Sequence, residues 1–296
     1  MQHEEIVRCL AACRRYREAK SWQKPWLDPA RFLRNQIRRR GLIRAPVGAL
    51  RTAPTFFLDE FTIVNGEGVS EQIAAYGVYE PDLSEAFCRL IRPGEQVVDI
   101  GMHLGYYTTL FACLVGDRGL VHAFEPTPTT REIAHCNVGR YPQVTVHPFA
   151  VWSGEGAMTF RDFGPQWMAF NSLRDARIKQ GPPAPRLIEV PTISLDRFRR
   201  DLGRSISLIK IDAESAEQEI LRGAVNLLAQ DRPIVSVEVG DTEGLPASRP
   251  LIEEMVDRGF TPWELTGGGF RPHQPRAAYE YGNLIFVPAG TDLSRV

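Results

Sequence analysis

The feature that most constrains the fold is a short apolar segment that ends in an acid and two glycines. Residues 97–100 (Val-Val-Asp-Ile) predict a buried strand, Gly101 and Gly105 a tight turn, and the segment from Tyr106 a helix. A second apolar segment then ends on Glu125. A strand, glycine turn, helix and acid-tipped strand are typical of a site for an adenosine-bearing cofactor. Glycine lets the backbone approach a ligand, and the acid can accept hydrogen bonds from both ribose hydroxyls.

The spacing of the glycines favours one such cofactor over the others. Dinucleotide enzymes use G-x-G-x-x-G, because a pyrophosphate sits against backbone N–H groups at a helix N-terminus. Here Asp99 precedes Gly101 and Gly105 without a third glycine at that offset. An acid beside the turn would repel a pyrophosphate but suits the amine of S-adenosylmethionine. We therefore expect S-adenosylmethionine to bind here; the alternative is an ordinary turn whose glycines serve geometry alone.

Strands and helices alternate with short connections from residue 97 to residue 258. This alternation predicts a parallel sheet with helices on both faces, and two final strands without a helix between them predict an antiparallel hairpin at one edge. We expect an α/β, Rossmann-like class I methyltransferase fold with a mostly parallel seven-stranded sheet. Ahead of it, residues 56–79 predict strands, with Asn65-Gly66 as a hairpin turn.

Charge divides the chain near residue 55. Residues 1–55 hold 13 Lys/Arg and 4 Asp/Glu, whereas the whole chain has 35 and 36. We expect 1–55 to be a basic helical accessory segment and 56–296 to be the methyltransferase domain. The segment could lie on an anionic membrane, bind an acidic acceptor, dock on its own protein or complete a homodimer. Docking is favoured, because Trp22, Trp26 and Phe32 need apolar cover.

Composition excludes several other classes of protein. No apolar run approaches the roughly 20 residues that cross a bilayer, and residues 1–5 lack a signal-peptide pattern. The five cysteines form no C-x-x-C pattern, which is typical of a reducing cytoplasm. The body carries no basic patch for nucleic acid. We expect a cytoplasmic protein with no integral membrane segment, no nucleic-acid partner and no metal.

The second half of the site is expected at the ends of the later strands, because ligands of open α/β sheets lie over those ends. Ala150, Lys210, Asp212, Glu214 and Glu238 occupy such positions. Buried carboxylates there would be costly unless they met a partner or took part in chemistry. The alternatives are that Asp212 caps a helix and that Lys210 forms a salt bridge with Glu214 or Glu238.

These segments resemble the FkbM family of S-adenosylmethionine-dependent methyltransferases over roughly residues 76–240. The similar segments are 99–108, 123–126, 208–223 (LIKIDAESAEQEILRG) and 237–238. Family members mostly methylate hydroxyl oxygens of sugars, lipid-linked glycans, polyketides and other natural products. The resemblance implies that residues 210–217 lie at the methyl-transfer centre and that Tyr79-Glu80-Pro81 closes over the cofactor. The residues expected to bind the cofactor are Glu80, Asp99, Gly101, His103, Gly105, Thr108, Glu125, Ala150 and Asp212.

Two positions depart from the family pattern. The family usually has Ala-Asn where this chain has Met102-His103, and Glu-Gly where it has Glu214-Ser215. His103 could hydrogen-bond the methionyl part of the cofactor, act as a base, or replace an amide in holding the turn. The residues expected to be catalytic are His103, Lys210, Asp212 and Glu214.

The sequence thus predicts an O-methyltransferase that acts on a hydroxyl of a small-molecule natural product, sugar or glycolipid. The base would be a group with a pKa near 7, so either His103 or a desolvated carboxylate, with Lys210 holding the carboxylates. Asn171-Ser172 would face the acceptor, while Tyr106 and Tyr107 contact the cofactor or only pack. The spacing of His, Asp and Glu in the sequence does not establish a metal ion that bridges Asp212 and Glu238 to the acceptor oxygen. The alternatives are a nicotinamide-dependent oxidoreductase and a non-catalytic S-adenosylmethionine-binding scaffold.

Overall fold

A computed structural model describes residues 3–40, 45–168, 171, 184–213, 215–241 and 247–294. The helices in these residues are α1 (His3–Glu18), α2 (Lys24–Leu27), α3 (Pro29–Arg39), α4 (Gly68–Tyr76), α5 (Pro81–Leu90), α6 (Tyr106–Val115), α7 (Pro128–Val138), α8 (Leu195–Arg200), α9 (Glu217–Arg222), α10 (Val225–Asp231) and α11 (Ser248–Asp257). The strands are β1 (Leu50–Ala53), β2 (Phe61–Val64), β3 (Gln96–Ile100), β4 (Leu120–Phe124), β5 (Val144–His147), β6 (Ala150–Val151), β7 (Gly156–Asp162), β8 (Arg186–Ile193), β9 (Leu208–Ile211), β10 (Ile234–Val239), β11 (Phe260–Thr266), β12 (Gly269–Pro272) and β13 (Gly282–Pro288).

One large sheet forms the centre of the protein and confirms the predicted class I methyltransferase fold. Its order is β12-β11-β13-β10-β9-β3-β4-β5. The neighbours from β10 to β5 are parallel, and β13 runs antiparallel between β10 and β11. The sheet has one strand more than the predicted seven. The Gly- and Pro-rich segment after β11 turns back at Gly267-Gly268 and adds β12 at the edge of the sheet. An edge strand tolerates Pro272, whose backbone nitrogen has no hydrogen to donate.

Helices cover both faces of this sheet, because successive residues of a strand point to opposite sides. Val97 belongs to the apolar cluster under α1, α4, α5 and α6, whereas Val98 belongs to the cluster under α8, α9, α10 and α11. Both valines are fully buried. The chain leaves β3 on one side for β4 and returns on the other as β9. This reversal of strand order is where open α/β sheets hold their ligands.

The segment ahead of the main sheet differs from its prediction. β1 pairs antiparallel with β2 through the connection 54–60, so the hairpin turn predicted at Asn65-Gly66 is wrong. That pair instead leads into helix α4, because the Glu67 carboxylate accepts hydrogen bonds from the backbone N–H groups of Val69 and Ser70 at 2.9 and 2.7 Å. β1 and β2 lie on either side of residue 55; the division into two domains there stays a prediction.

The basic segment docks on the body through one face of α1. Ile6, Leu10 and Cys13 are buried in the same apolar cluster as Val97 of β3. The two tryptophans do not take part, since Trp22 is 69% and Trp26 is 85% exposed. The expectation that they are covered is therefore wrong, because α1 supplies the apolar face that the body needs. No helix in the described residues is long and apolar enough to cross a membrane.

Candidate functional site

The two motif glycines are required by the fold itself. Gly101 has a φ of 77°, and a Cβ there would lie 1.8 Å from the carbonyl oxygen of Asp212. Gly105 has a φ of 80° and begins α6, and a Cβ there would lie 2.9 Å from Cγ1 of Val138. Side chains other than hydrogen are strained in this backbone region. Gly101 also lines the cavity described below, whereas Gly105 packs against α7.

Asp99 meets its positive partner within the chain. The carboxyl group is fully buried, accepts a hydrogen bond from the Thr108 hydroxyl at 2.6 Å, and lies 3.4 Å from the Nζ of Lys210. Burial raises its pKa, and the Lys210 charge opposes that shift. The cation that the sequence argument assigned to the cofactor amine is thus supplied by Lys210. Contact of Asp99 or Thr108 with a cofactor stays a prediction.

Lys210 joins the ends of the two central strands. Its Nζ lies 3.3 Å from an oxygen of Asp212, donates to the carbonyl of Gly101 at 3.4 Å, and sits 5.3 Å from the centre of the Tyr107 ring. Burial alone would lower its pKa, but the carboxylates around it raise the pKa above its ordinary value. The carboxylates paired with it among the described residues are Asp212 and Asp99. Glu214 and Ser172 lie outside the described residues.

Glu125 ends β4 at the cavity wall. One carboxylate oxygen accepts from the backbone N–H of His103 at 3.2 Å and the other from that of Thr127 at 2.9 Å. Burial raises its pKa to about 7, and these backbone donors only partly oppose the shift. Each carboxylate oxygen has two lone-pair sites. The side chain therefore keeps capacity to accept further hydrogen bonds from a ligand.

His103 faces the cavity from the glycine turn, in a left-handed backbone conformation with a φ of 51°. Its Nε2 lies 3.9 Å from an oxygen of Glu67, and Asp212 also acts on it electrostatically. Burial lowers its pKa despite both carboxylates, so the ring is neutral at pH 7. Sequence reasoning missed Glu67 because it lies in a segment that was predicted to be strand. The signal that could have found it is an acid directly before Gly68 at the start of a helix.

Glu80 links the segment before α5 to the site. Its carboxylate accepts from the Tyr107 hydroxyl at 2.8 Å and from the Asn283 amide at 3.4 Å. Burial, and then the negative charge of Asp212, raise its pKa to about 7. A φ of 39° places it in the left-handed region. Asn283 was not predicted, because β13 was read only as a closing strand.

A single cavity collects the predicted residues that face outward. Six predicted cofactor or catalytic residues line it: Gly101, His103, Glu125, Ala150, Lys210 and Asp212. Asn171 also lines it, and its side-chain oxygen accepts from the backbone of Phe163 at 2.8 Å. Tyr106 and Tyr107 contribute both to the wall and to an aromatic cluster below it. In the described residues no group of three His, Cys, Asp or Glu side chains could hold a metal ion.

Comparison with known proteins points to one family. A family model described as "Methyltransferase FkbM domain" matches residues 99–262, more than half of the chain. Protein-L-isoaspartate O-methyltransferase 1 of Archaeoglobus fulgidus is 33% identical over 87 residues, which are 29% of this chain and 39% of that relative. The chain therefore spans well under half the length of this curated relative.

Two solved structures have a similar arrangement of the chain. A methyltransferase FkbM from Methylobacillus flagellatus is 14% identical with a TM-score of 0.41, covering 69% of this chain and 50% of that one. Fibrillarin of Aeropyrum pernix, solved with natively bound S-adenosyl-L-methionine, is 12% identical with a TM-score of 0.40, covering 67% and 68%. Likeness at this level says nothing about substrate.

Proposed function

The chain belongs to the FkbM methyltransferase family, and from this premise we propose that it methylates a hydroxyl oxygen of a small-molecule natural product, sugar or glycolipid. S-adenosylmethionine is its cofactor, which when bound supplies an electrophilic methyl group. The protein must align the acceptor oxygen with that group and remove the hydroxyl proton. The curated relative is an O-methyltransferase by name, which supports oxygen as the accepting atom.

The residues at the cavity fit the cofactor. Glu125 would accept hydrogen bonds from the ribose hydroxyls, since its hydrogen bonds from His103 and Thr127 leave lone-pair capacity unused. Gly101 and the backbone of His103 would contact the methionyl portion and Ala150 the adenine side. Asp99, Gly105, Thr108 and Glu80 would act by holding these groups in place, and Asp212 would lie at the edge shared with the acceptor.

The observation that carries the proposed mechanism is the position of the His103 ring, which lines the cavity with a buried Nε2 3.9 Å from an oxygen of Glu67. A base must be unprotonated at working pH, and burial lowers the pKa of this ring. Once it accepts the hydroxyl proton, the carboxylates of Glu67 and Asp212 stabilise the imidazolium. Asp212 is a weaker candidate, because its carboxylate is already paired with Lys210 at 3.3 Å. We propose Lys210 and Asp212 as residues that position the acceptor; a role for Glu214 stays a prediction.

The first experiment identifies the acceptor. Extracts of cells with and without the gene are compared by mass spectrometry for compounds that differ by one CH2 unit, and the linkage is then assigned by NMR. Methylation of oxygen supports the proposal, and methylation of nitrogen or carbon refutes it. Calorimetry with S-adenosylhomocysteine and with NAD separates the oxidoreductase alternative. Failure to turn over any accumulated candidate would favour the non-catalytic scaffold.

The second experiment tests the base with the acceptor found. His103→Gln should lower kcat by roughly 10²-fold, remove the acid limb of the pH profile and leave the affinity for S-adenosylhomocysteine nearly unchanged. Asp212→Asn should lower kcat while that limb persists. Equal losses of kcat and cofactor affinity in His103→Gln would make the residue part of the cofactor site instead.

Location and partners stay proposals of the same kind. The five cysteines carry no disulfide, which supports a reducing, cytoplasmic location. The lack of a nucleic-acid partner is proposed on the charge distribution alone, and a homodimer through the N-terminal segment stays the alternative to the membrane contact proposed below.

A further inference from the structure

The N-terminal segment has one buried face and one exposed face. The inner face of α1 is buried, and Arg14 beside it forms ion pairs with Asp82 at 2.6 Å and Glu85 at 2.7 Å on α5. The charges that hold the segment to the body are thus already matched. The outer face of the segment remains exposed.

Exposed apolar side chains are concentrated on this outer face. Of the ten large apolar residues exposed in the described part of the chain, six lie between residues 7 and 50. Trp22, Trp26 and Leu33 are 69%, 85% and 59% exposed. Both tryptophans line one groove with Val7 of α1, so they form a continuous surface rather than scattered positions. Large apolar surfaces of this kind mark binding sites more often than solvent contacts.

Exposed cations share this segment with the apolar side chains, and Arg15 lines the same groove, together with Glu18. The exposed basic residues of α1, α3 and the connection between them are Arg8, Arg15, Lys20, Arg34, Arg39 and Arg40. They belong to a segment with 13 basic and 4 acidic residues, on a body whose balance is acidic. The exposed part of the segment therefore carries an excess of positive charge.

We propose that this outer face, defined by Trp22, Trp26, Leu33 and the six exposed cations, binds an anionic lipid bilayer. Tryptophan prefers the interface between headgroups and acyl chains, and arginine and lysine are drawn to anionic lipids. A protein partner fits less well, because the cores of protein–protein interfaces are depleted in charge whereas cations here lie among the apolar residues. The chain would bind as a peripheral protein through a folded surface, without inserting a spanning helix. This inference does not depend on the identity of the methyl acceptor.

The test is sedimentation of the full chain with vesicles. Vesicles of phosphatidylcholine alone are compared with vesicles that also contain phosphatidylglycerol, at low and high salt. We expect sedimentation with the anionic vesicles only, its release by salt because the Debye length shortens, and a blue shift of tryptophan fluorescence. Soluble glycerol phosphate should not produce that shift, which separates a bilayer from a free headgroup.

Variants assign the binding to this face. The double variant Trp22→Ser/Trp26→Ser should weaken vesicle binding at least about tenfold, while the affinity for S-adenosylhomocysteine stays unchanged. Leu187→Ser is the matched control, because Leu187 is 63% exposed on β8 outside the surface. Equal binding to both vesicle types, or wild-type binding by the tryptophan variant, would overturn the proposal. So would a dimer in sedimentation velocity that the double variant dissociates, since the face would then join two copies of the chain.

Discussion

Glu125 and Glu264 are buried to the same degree, each 6% exposed, but lie in different chemical surroundings. Glu264, on β11, accepts from the guanidinium groups of Arg271 and Arg276 and lies 2.9 Å from Nδ1 of His273. These charged donors lower its pKa in spite of burial. Glu125 has neutral donors, from Thr127 and from the backbone N–H of His103, and burial raises its pKa to about 7.

The difference shows how one chain uses buried carboxylates in two ways. Around Glu264 the charge is neutralised by the protein itself, which stabilises the edge hairpin and leaves no role for a ligand. The Glu125 carboxylate accepts hydrogen bonds from neutral donors only, so the hydroxyl groups of a ligand would supply further hydrogen bonds to its charge. Asp99 lies between these cases, since it pairs at 3.4 Å with Lys210, which lines the same cavity.

The largest effect is expected where a single cation neutralises a buried acid. Lys210→Met should lower the free energy of unfolding by about 3–5 kcal/mol, because Asp99 would remain buried without its cation. Arg276→Ala should cost about 1 kcal/mol or less, because that side chain is 45% exposed and Arg271 remains. Urea denaturation measures both, and similar losses would contradict the distinction.

Cofactor affinity should separate the two glutamates directly. Glu125→Ala removes two charge-assisted hydrogen bonds, on the order of 1.5–3 kcal/mol each. We therefore expect the affinity for S-adenosylhomocysteine to fall at least tenfold with the fold intact. Glu264→Ala should instead lower stability and leave that affinity unchanged. Calorimetry and thermal denaturation of the pair decide it, and an unchanged Kd in Glu125→Ala would refute the ribose assignment.

The pKa of Glu125 predicts how cofactor affinity responds to pH. The ionised carboxylate accepts hydrogen bonds from both hydroxyls, so binding favours the deprotonated form and lowers the pKa. Affinity for S-adenosylhomocysteine should then be full above about pH 7 and fall by up to about tenfold per pH unit below it. Glu125→Gln should bind weakly with a much flatter profile. A flat profile in the unmodified protein would contradict this assignment.

The smallest effect concerns backbone strain, which also distinguishes the two regions. Among the described non-glycine residues with positive φ, Glu80, His103 and Ser215 lie at the site, and Arg232 lies elsewhere. Ser215→Gly should raise the free energy of unfolding by about 0.5–1 kcal/mol. Arg232→Gly should lower it, because Arg232 donates to the carbonyls of Arg258 and Gly259. Thermal denaturation measures both shifts, and a loss in Ser215→Gly would show that its side chain outweighs the strain.

The sequence predicted the parts of the fold that depend on local pattern. Apolar runs located β3, β4, β9 and β10, because strands that are buried on both faces are rich in Val, Ile and Leu. Helix α4 was missed, since the Asn65-Gly66 pair favours a hairpin and only the position of Glu67 indicates a helix start. β12 was missed because its Gly- and Pro-rich sequence is typical of a loop. It becomes a strand only by pairing with the edge of β11.

The candidate site was predictable as a set of positions but not as a set of contacts. Lys210, Asp212 and Glu125 were located by strand ends, which the chain's periodicity fixes. The partner of Lys210 could not be found in this way, because Asp99 lies 111 residues away and the pairing depends on the register of β3 against β9. The contacts of Glu67 with His103 and of Asn283 with Glu80 likewise arise only once the layers pack.

No side chain fits between Gly101 and the carbonyl of Asp212. The presence of this glycine in a related sequence is therefore weak evidence of activity. Because the turn cannot close around a side chain, selection for folding alone would preserve Gly101 in a descendant that had lost its activity. Glu125 has the opposite status, since its raised pKa makes it a cost to the folded protein near neutral pH. A descendant freed from binding the cofactor would gain stability by replacing it, so the acid rather than the glycine is the better marker of a working enzyme.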